Sequence, residues 1–146
     1  MDVEQNRITV TLNELVNALN SHADRLLRSN FDLTYSQFLF LLSLTDGDKN
    51  LTESAKFQGV SVAAVSKRIE WFTQRKLVTC QQATGRGNQS ILRLTSKGRT
   101  LASKSLDFLE EQFRDSLTDV PGVNLAALDQ QLEKLLNHFY ACTDSE

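Results

Sequence analysis

The sequence is poor in the residues from which disulfide and metal sites are built. Its 146 residues contain two cysteines, Cys80 and Cys142, and two histidines, His22 and His138. The cysteines lie far apart in sequence, which suits a reducing compartment and predicts no structural disulfide. Neither histidine belongs to a cluster of His, Cys or carboxylate ligands at close helical spacing, so we expect no metal site and no cofactor. Cys80 has basic neighbours, but an inert, buried strand cysteine is the expectation.

The residue patterns of an enzyme are also missing. The sequence has no nucleophile paired with a base, no carboxylate pair and no phosphate-cradling loop. The segment 85–87, Gly-Arg-Gly, lacks the flanking pattern of a nucleotide loop, and the segment 46–48, Asp-Gly-Asp, lacks the remaining carboxylates of a calcium loop. We therefore expect a protein that is not an enzyme.

Long apolar runs and signal patterns are absent too. No apolar stretch approaches the roughly 20 residues that span a bilayer, and the polar residues 4–6 do not resemble a signal peptide. We expect a cytoplasmic protein with no membrane partner. Its length and its 40% apolar content predict one globular domain, mainly α with a small β-hairpin.

What the sequence does contain is a helix-turn-helix pattern that begins at Asn50. Asn50 and Glu53 have the spacing of a capping box, so a helix should begin there. The segment 58–60, Gln-Gly-Val, supplies the turn that ends this helix, and Ser61 caps a second one. The order predicted is helix, tight turn, helix.

The second helix has two different faces. Val65, Ile69 and Phe72 recur at helical spacing and are predicted to anchor one face in a core. The opposite face is small, polar and cationic; it comprises Val62, Ala63, Ser66, Lys67 and Arg68. Small side chains allow a helix to enter a major groove deeply, while hydroxyl and cationic groups contact bases and phosphates. This face is therefore a candidate DNA-reading surface.

A hairpin is predicted directly after that helix. Residues 77–81 and 90–95 have strand character, and residues 83–89 are turn-forming. Arg86 lies between two glycines at the tip, which would allow its guanidinium to enter a narrow minor groove. An ordinary polar hairpin loop is the alternative for this segment taken alone.

Charge is concentrated in the same part of the chain. Residues 61–99 contain eight basic residues and one acidic residue, a net charge of +7, whereas the rest of the chain carries −9. This polarity is typical of a phosphate-binding surface, although charged runs are more often simply solvated faces.

Five motifs occur along the chain in a characteristic order: Leu33-Thr34-Tyr35-Ser36-Gln37-Phe38, Gly59-Val60-Ser61, Val65-Ser66-Lys67, Leu77-Val78 and Leu92-Arg93-Leu94-Thr95-Ser96-Lys97-Gly98. In these motifs and in the order of its elements, the chain resembles the MarR family of winged-helix transcriptional regulators over nearly all of its length. Three features depart from the family pattern. Ser54 and Gln58 replace leucines, which predicts that the first helix of the motif packs loosely or is shifted. Lys76 replaces a glycine at the end of the recognition helix, so it would have to adopt a left-handed cap or end the helix differently, and the wing lacks an Asp-x-Arg motif.

The resemblance implies one MarR-like domain over residues 1–146. Its parts would be dimerisation helices at about 1–30 and 118–146, a winged helix-turn-helix at about 34–95 and a linking helix at about 96–117. Double-stranded DNA would be contacted by Ser61, Val62, Ala63, Ala64, Ser66, Lys67, Arg68, Arg86 and Asn88. Apolar stripes in both terminal helices could complete a core within one chain. In this family such helices interlock between two subunits, which implies a homodimer.

The resemblance further implies a repressor that binds a palindromic operator and is released by a small-molecule effector. Phe31, Tyr35, Phe38 and Phe113 are candidates to line the effector pocket, with plain core packing as the alternative. A winged helix can also act as a protein-interaction module without specific DNA binding, and this is the competing functional hypothesis.

Overall fold

The computed structural model describes residues 7–82 and 90–143. Six helices and three short strands occur in these ranges: α1 Ile8–Phe31, α2 Tyr35–Ser43, β1 Lys49–Asn50, α3 Leu51–Gln58, α4 Val62–Gln74, β2 Val78–Gln82, β3 Ser90–Leu94, α5 Ser96–Leu117 and α6 Leu125–Thr143. The chain forms two compact units, one that ends at Asp107 and one that begins at Phe108. The predicted fold class, mainly α with a small β element, is confirmed.

The helix starts follow from side chains that cap free backbone N–H groups. Asn50 accepts a hydrogen bond from the Glu53 amide at 2.8 Å, and Glu53 accepts one in return from the Asn50 amide at 3.4 Å. The same reciprocal box joins Thr34 and Gln37 at the start of α2. These pairs satisfy donors that a helix leaves unpaired in its first turn. The predicted capping box at Asn50 is confirmed.

The sheet has one strand more than the predicted hairpin. Its order is β1-β3-β2, and both pairings are antiparallel, with Cys80 opposite Leu92 and Lys49 opposite the same residue on the other side. β1 contains only two residues, and one of them is the capping residue Asn50. A segment this short has no alternating pattern to recognise, which is why the sequence did not predict it.

The core of the first unit forms where the inward face of α4 meets α2. The rings of Phe40 and Phe72 stack with centroids 4.2 Å apart, and both residues are fully buried together with Val65. Ile69 is half-buried. The predicted inward stripe of α4 is therefore present, and it fixes which face of this helix remains outside.

α4 ends in a turn that places Lys76 in the left-handed region. The Lys76 amide donates to the Thr73 carbonyl and the Leu77 amide donates to the Phe72 carbonyl, both at 3.0 Å, in the pattern of a Schellman motif. Lys76 has φ 58°. A side chain is disfavoured in this conformation because its β-carbon crowds the following carbonyl oxygen.

Replacing Lys76 by glycine is expected to stabilise the protein. Glycine relieves the left-handed strain, but it also gives the unfolded chain more conformational entropy, which offsets part of the gain. The net effect should be a rise of about 0.5–1 kcal/mol in the free energy of unfolding. Urea unfolding measures the change. Lys76→Ala is the control, since it shortens the side chain but keeps the β-carbon. An equal gain in Lys76→Ala would show that strain is not the cause.

Two helices carry apolar surface that their own units leave uncovered. In the first half of α1 the exposed side chains are Ile8, Val10, Leu12, Leu15 and Val16. None of the residues of α6 is buried, and its exposed apolar side chains are Leu128, Leu132, Leu135, Leu136, Phe139 and Tyr140. A helix gains little stability from an apolar stripe that faces water. Among the described residues, no helix is both long enough and apolar enough to cross a bilayer.

Candidate nucleic-acid interface

The turn between α3 and α4 sets the direction of α4. Gly59 adopts φ 66°, and the amide of Val60 donates to the Ala55 carbonyl at 3.0 Å to close the end of α3. The Ser61 hydroxyl then accepts a hydrogen bond from the Ala64 amide at 3.1 Å and caps α4. Three residues thus reverse the chain and start the second helix of the motif.

The outward face of α4 consists of the residues that the sequence assigned to DNA. Ser61, Val62, Ala63, Ser66 and Lys67 are exposed, whereas Ala64 and Arg68 are half-buried. The exposed fraction of Val62 is 42%, so this apolar side chain is available for contact with thymine methyl groups. The face combines small side chains, one hydroxyl at its centre and cations along one edge, which suits the floor and walls of a major groove.

Arg68 is connected to α3 through two polar residues. Its Nη1 donates to Gln58 Oε1 at 3.4 Å, and Gln58 Nε2 donates to Ser54 Oγ at 2.9 Å and to the Ser54 carbonyl at 3.2 Å. Ser54 is fully buried. Ser54, Gln58 and Arg68 therefore form a polar contact between the helices of the motif.

The basic residues beyond α4 differ in how strongly they are held. Arg75 stacks on the Trp71 ring, with its guanidinium carbon 3.9 Å from the ring centroid. Lys97 donates to the Arg75 carbonyl at 3.1 Å. Arg93 donates to Asp48 through two nitrogens, at 2.8 and 2.7 Å, and this hydrogen bonding lowers the pKa of the Asp48 carboxyl. Arg93 is thus paired with an acid from outside the basic segment, which reduces the charge available to a phosphate there.

The wing residues assigned to DNA, Arg86 and Asn88, lie outside the described residues. The strands on either side, β2 and β3, are present and paired from Gln82 opposite Ser90 to Val78 opposite Leu94. The minor-groove role of Arg86 remains a prediction.

The predicted effector-pocket residues are distributed over both units. Phe31 ends α1, Tyr35 begins α2 and Phe38 is buried one turn later, with the Tyr35 and Phe38 ring centroids 6.2 Å apart. Phe113 lies on the part of α5 that belongs to the second unit. Partial burial raises the pKa of the Tyr35 hydroxyl. Their assignment to one pocket remains a prediction.

A separate cavity of about 790 Å³, wide open to solvent, lies between α1 and the start of α2. Its lining residues are Asn20, Ser21, Asp24, Arg25, Arg28, Thr34, Tyr35 and Ser36. Asp24 accepts hydrogen bonds from the Tyr35 amide at 2.8 Å and from Arg28 at 2.7 Å, which together lower the pKa of its carboxyl. Because the Asp24 carboxylate is already bonded to Arg28 and to the Tyr35 amide, the positive charge of Arg25 remains on the wall of this cavity.

Two expectations about the cysteines and histidines need correction. Cys80 is exposed, not buried: Val78 is the buried residue of β2, and the four residues that follow it in the strand are all exposed. Cys142 Sγ lies 3.8 Å from His138 Nε2, so one histidine does have a sulfur neighbour. Their separation of four positions on α6 was the signal available in the sequence. Within the described ranges no group of three or more metal-ligating side chains occurs.

Comparison with known proteins supports the fold independently. No protein-family model matches the chain. The HTH-type transcriptional regulator TcaR of Staphylococcus aureus is 27% identical over 125 residues, which cover 84% of this chain and 82% of TcaR. The transcriptional regulator BldR from Sulfolobus solfataricus superposes with a TM-score of 0.77 at 19% identity, with 94% of this chain and 99% of BldR covered.

Escherichia coli MarR in its apo form superposes with a TM-score of 0.71 at 21% identity, with 86% of this chain and 96% of MarR covered. Further matching structures include other MarR-family transcriptional regulators. The resemblance seen in the sequence is confirmed at the level of fold: the chain has the winged helix-turn-helix fold of that family.

Proposed function

We propose that this chain is a sequence-specific, DNA-binding transcriptional regulator of the MarR type, acting as a homodimeric repressor on a palindromic operator. The observation that carries the proposal is the outward face of α4, where small side chains from Ser61 to Ser66 adjoin the cation of Lys67. This face lies within a segment of net charge +7 on a chain whose total charge is −2. Groove-reading shape and phosphate-binding charge thus coincide in one segment.

The homodimer is supported by the apolar surface of the terminal helices. The exposed fraction of Ile8 on α1 is 61%, and that of Phe139 on α6 is 67%. Apolar stripes of this length are stabilising only when something covers them, and a second copy of the same chain offers a matching surface. A two-fold dimer would present two α4 helices to successive major grooves, which requires a palindromic site.

Lys67→Ala is expected to weaken DNA binding about 5–10-fold and to reduce the salt dependence of binding by about one counterion, since a lysine at the groove edge neutralises one phosphate. Fluorescence anisotropy would be measured on a duplex selected by the wild type from a randomised 30-base-pair pool, across a salt series. Lys104→Ala is the matched control because Lys104 is an exposed lysine on α5, outside the basic segment.

The same experiment separates this function from a protein-interaction role. A groove reader enriches particular sequences from the pool and loses affinity steeply with salt. Failure of the wild type to enrich any sequence would contradict the proposal and favour α4 as a docking helix for another protein.

Release by a small-molecule effector is the remaining part of the proposal. The cavity between α1 and α2 is open to solvent, has room for a small molecule and carries the positive charge of Arg25 on its wall. A small carboxylate is the ligand class that this wall favours, through charge-assisted hydrogen bonds.

Benzoate at millimolar concentration is expected to dissociate the protein–DNA complex, and Arg25→Ala is expected to need at least several-fold more benzoate for half-release. Anisotropy of the same labelled duplex reports the release, with acetamide as the uncharged control. Equal release from wild type and Arg25→Ala would place the effect outside this cavity.

A further inference from the structure

The contact between Ser54, Gln58 and Arg68 lies beside the groove-facing surface of α4 and connects the interior of the motif to that surface. Ser54 and Gln58 come from α3, and Arg68 comes from α4. Ser54 is fully buried, whereas Gln58 and Arg68 are half-buried. The contact therefore runs from the interior of the motif towards its surface.

Ser54 determines which way the Gln58 amide points. Gln58 Nε2 has two acceptors on Ser54, the hydroxyl at 2.9 Å and the carbonyl at 3.2 Å. The opposite orientation would direct the Gln58 NH₂ group at the Arg68 guanidinium, so that two sets of donors would face each other. In the observed orientation Oε1 faces Arg68 Nη1 at 3.4 Å and accepts from it.

A guanidinium that is hydrogen-bonded at one nitrogen has fewer orientations open to its other four donors. Those donors lie in one plane, as bidentate contacts to a phosphate or to a guanine edge require. An arginine that is restrained before binding also loses less side-chain freedom when it contacts DNA. Arg68 directly follows Lys67, the exposed cation of α4.

We propose that Gln58 is a positioning residue: oriented by Ser54, it holds the Arg68 guanidinium for contact with DNA and thereby contributes to the choice of operator sequence. This inference rests on the proposed function. It gives α3 an indirect part in DNA recognition, in addition to the direct contacts made by the exposed face of α4. Arg68 is the residue that touches DNA, and Gln58 acts through it.

The test is a double-mutant cycle of Gln58→Met and Arg68→Ala on the duplex selected by the wild type. Methionine has similar length and volume, but its thioether has no N–H to donate to Ser54 and is only a weak hydrogen-bond acceptor for the guanidinium. In the wild-type background, Gln58→Met is expected to lower the ratio of affinities for selected and scrambled DNA about 3–10-fold. In the Arg68→Ala background the same substitution should leave the ratio unchanged.

A purely structural role for Gln58 predicts a different pattern. The affinity ratio would then fall by the same factor in both backgrounds, in parallel with any loss of stability in urea, and this outcome would overturn the inference. Gln74→Met is the matched control, since the Gln74 amide donates within α4 to Glu70 at 3.1 Å and accepts from no arginine among the described residues. A loss of preference in Gln74→Met equal to that in Gln58→Met would also overturn it.

The outcome for the wild type distinguishes this inference from the proposed function. If the wild type selects no sequence from the pool, specific DNA binding itself is wrong and the inference is lost with it. If the wild type selects a sequence and the cycle shows no coupling between Gln58 and Arg68, only the positioning role is wrong.

Discussion

Replacing Gly98 by alanine is expected to lower the free energy of unfolding by about 3 kcal/mol, at the upper end of what overpacking usually costs. A β-carbon on Gly98 would lie 2.0 Å from the carbonyl oxygen of Leu77 and 2.9 Å from its carbonyl carbon. Both atoms belong to the backbone and cannot rotate away. The first turn of α5 would have to move relative to the start of β2.

The surrounding hydrogen bonds explain why this junction cannot yield easily. The Thr95 hydroxyl donates to the Lys76 carbonyl at 2.6 Å and accepts from the Gly98 amide at 3.0 Å. The Thr95 amide donates to the Leu77 carbonyl at 3.0 Å. One threonine thus joins the end of α4, the exit from the wing and the start of α5, so a shift at Gly98 disturbs all three.

Urea unfolding of Gly98→Ala measures this loss of stability. Wild type and variant are compared at one protein concentration, because the free energy of unfolding of a dimer depends on concentration. Ser103→Ala is the control, since Ser103 lies on the exposed side of the same helix and should change stability by less than about 0.5 kcal/mol. Alanine favours a helix over glycine by about 1 kcal/mol, so without the clash Gly98→Ala would be stabilising. A stabilised Gly98→Ala variant would contradict the close approach.

The double substitution Leu132→Glu with Leu136→Glu is expected to convert the protein from dimer to monomer and to weaken operator binding at least about 100-fold. These leucines are one turn apart on α6, with exposed fractions of 40% and 51% in the single chain. If a partner covers them, each contributes about 1.5–3 kcal/mol per subunit, and each glutamate would place an unpaired charge in the interface. A monomer would hold only one half-site of the palindrome.

Sedimentation equilibrium at micromolar protein gives the oligomeric state, and anisotropy gives the affinity for DNA. Gln130→Glu with Asn137→Glu is the matched control, because it adds the same two acids to the opposite side of α6 and none to the apolar stripe. The control should remain dimeric and bind DNA with nearly unchanged affinity. A Leu132→Glu, Leu136→Glu variant that stays dimeric would show that α6 does not form the interface.

The Lys76 and Ser54 positions show where sequence reasoning reached its limit. The sequence indicated that Lys76 would have to adopt a left-handed cap or end α4 differently, and the structure has the left-handed cap. It also suggested loose packing of α3 because Ser54 and Gln58 replace leucines. The structure instead joins these two side chains to each other and to Arg68. Backbone geometry at a helix end is local, whereas the contact to Arg68 joins residues ten positions apart across a turn.

The sequence by itself determined the helix starts at Asn50 and Ser61, the turn at Gly59 and the inward stripe of α4, because capping, left-handed glycine and helical periodicity act over three or four neighbouring residues. Only the tertiary structure decided three contacts. β1 pairs with β3 as a third strand of the sheet, Asp48 pairs with Arg93, 45 positions away, and Leu77 approaches Gly98 closely. These contacts depend on how separate elements pack, and no local pattern of residues specifies that.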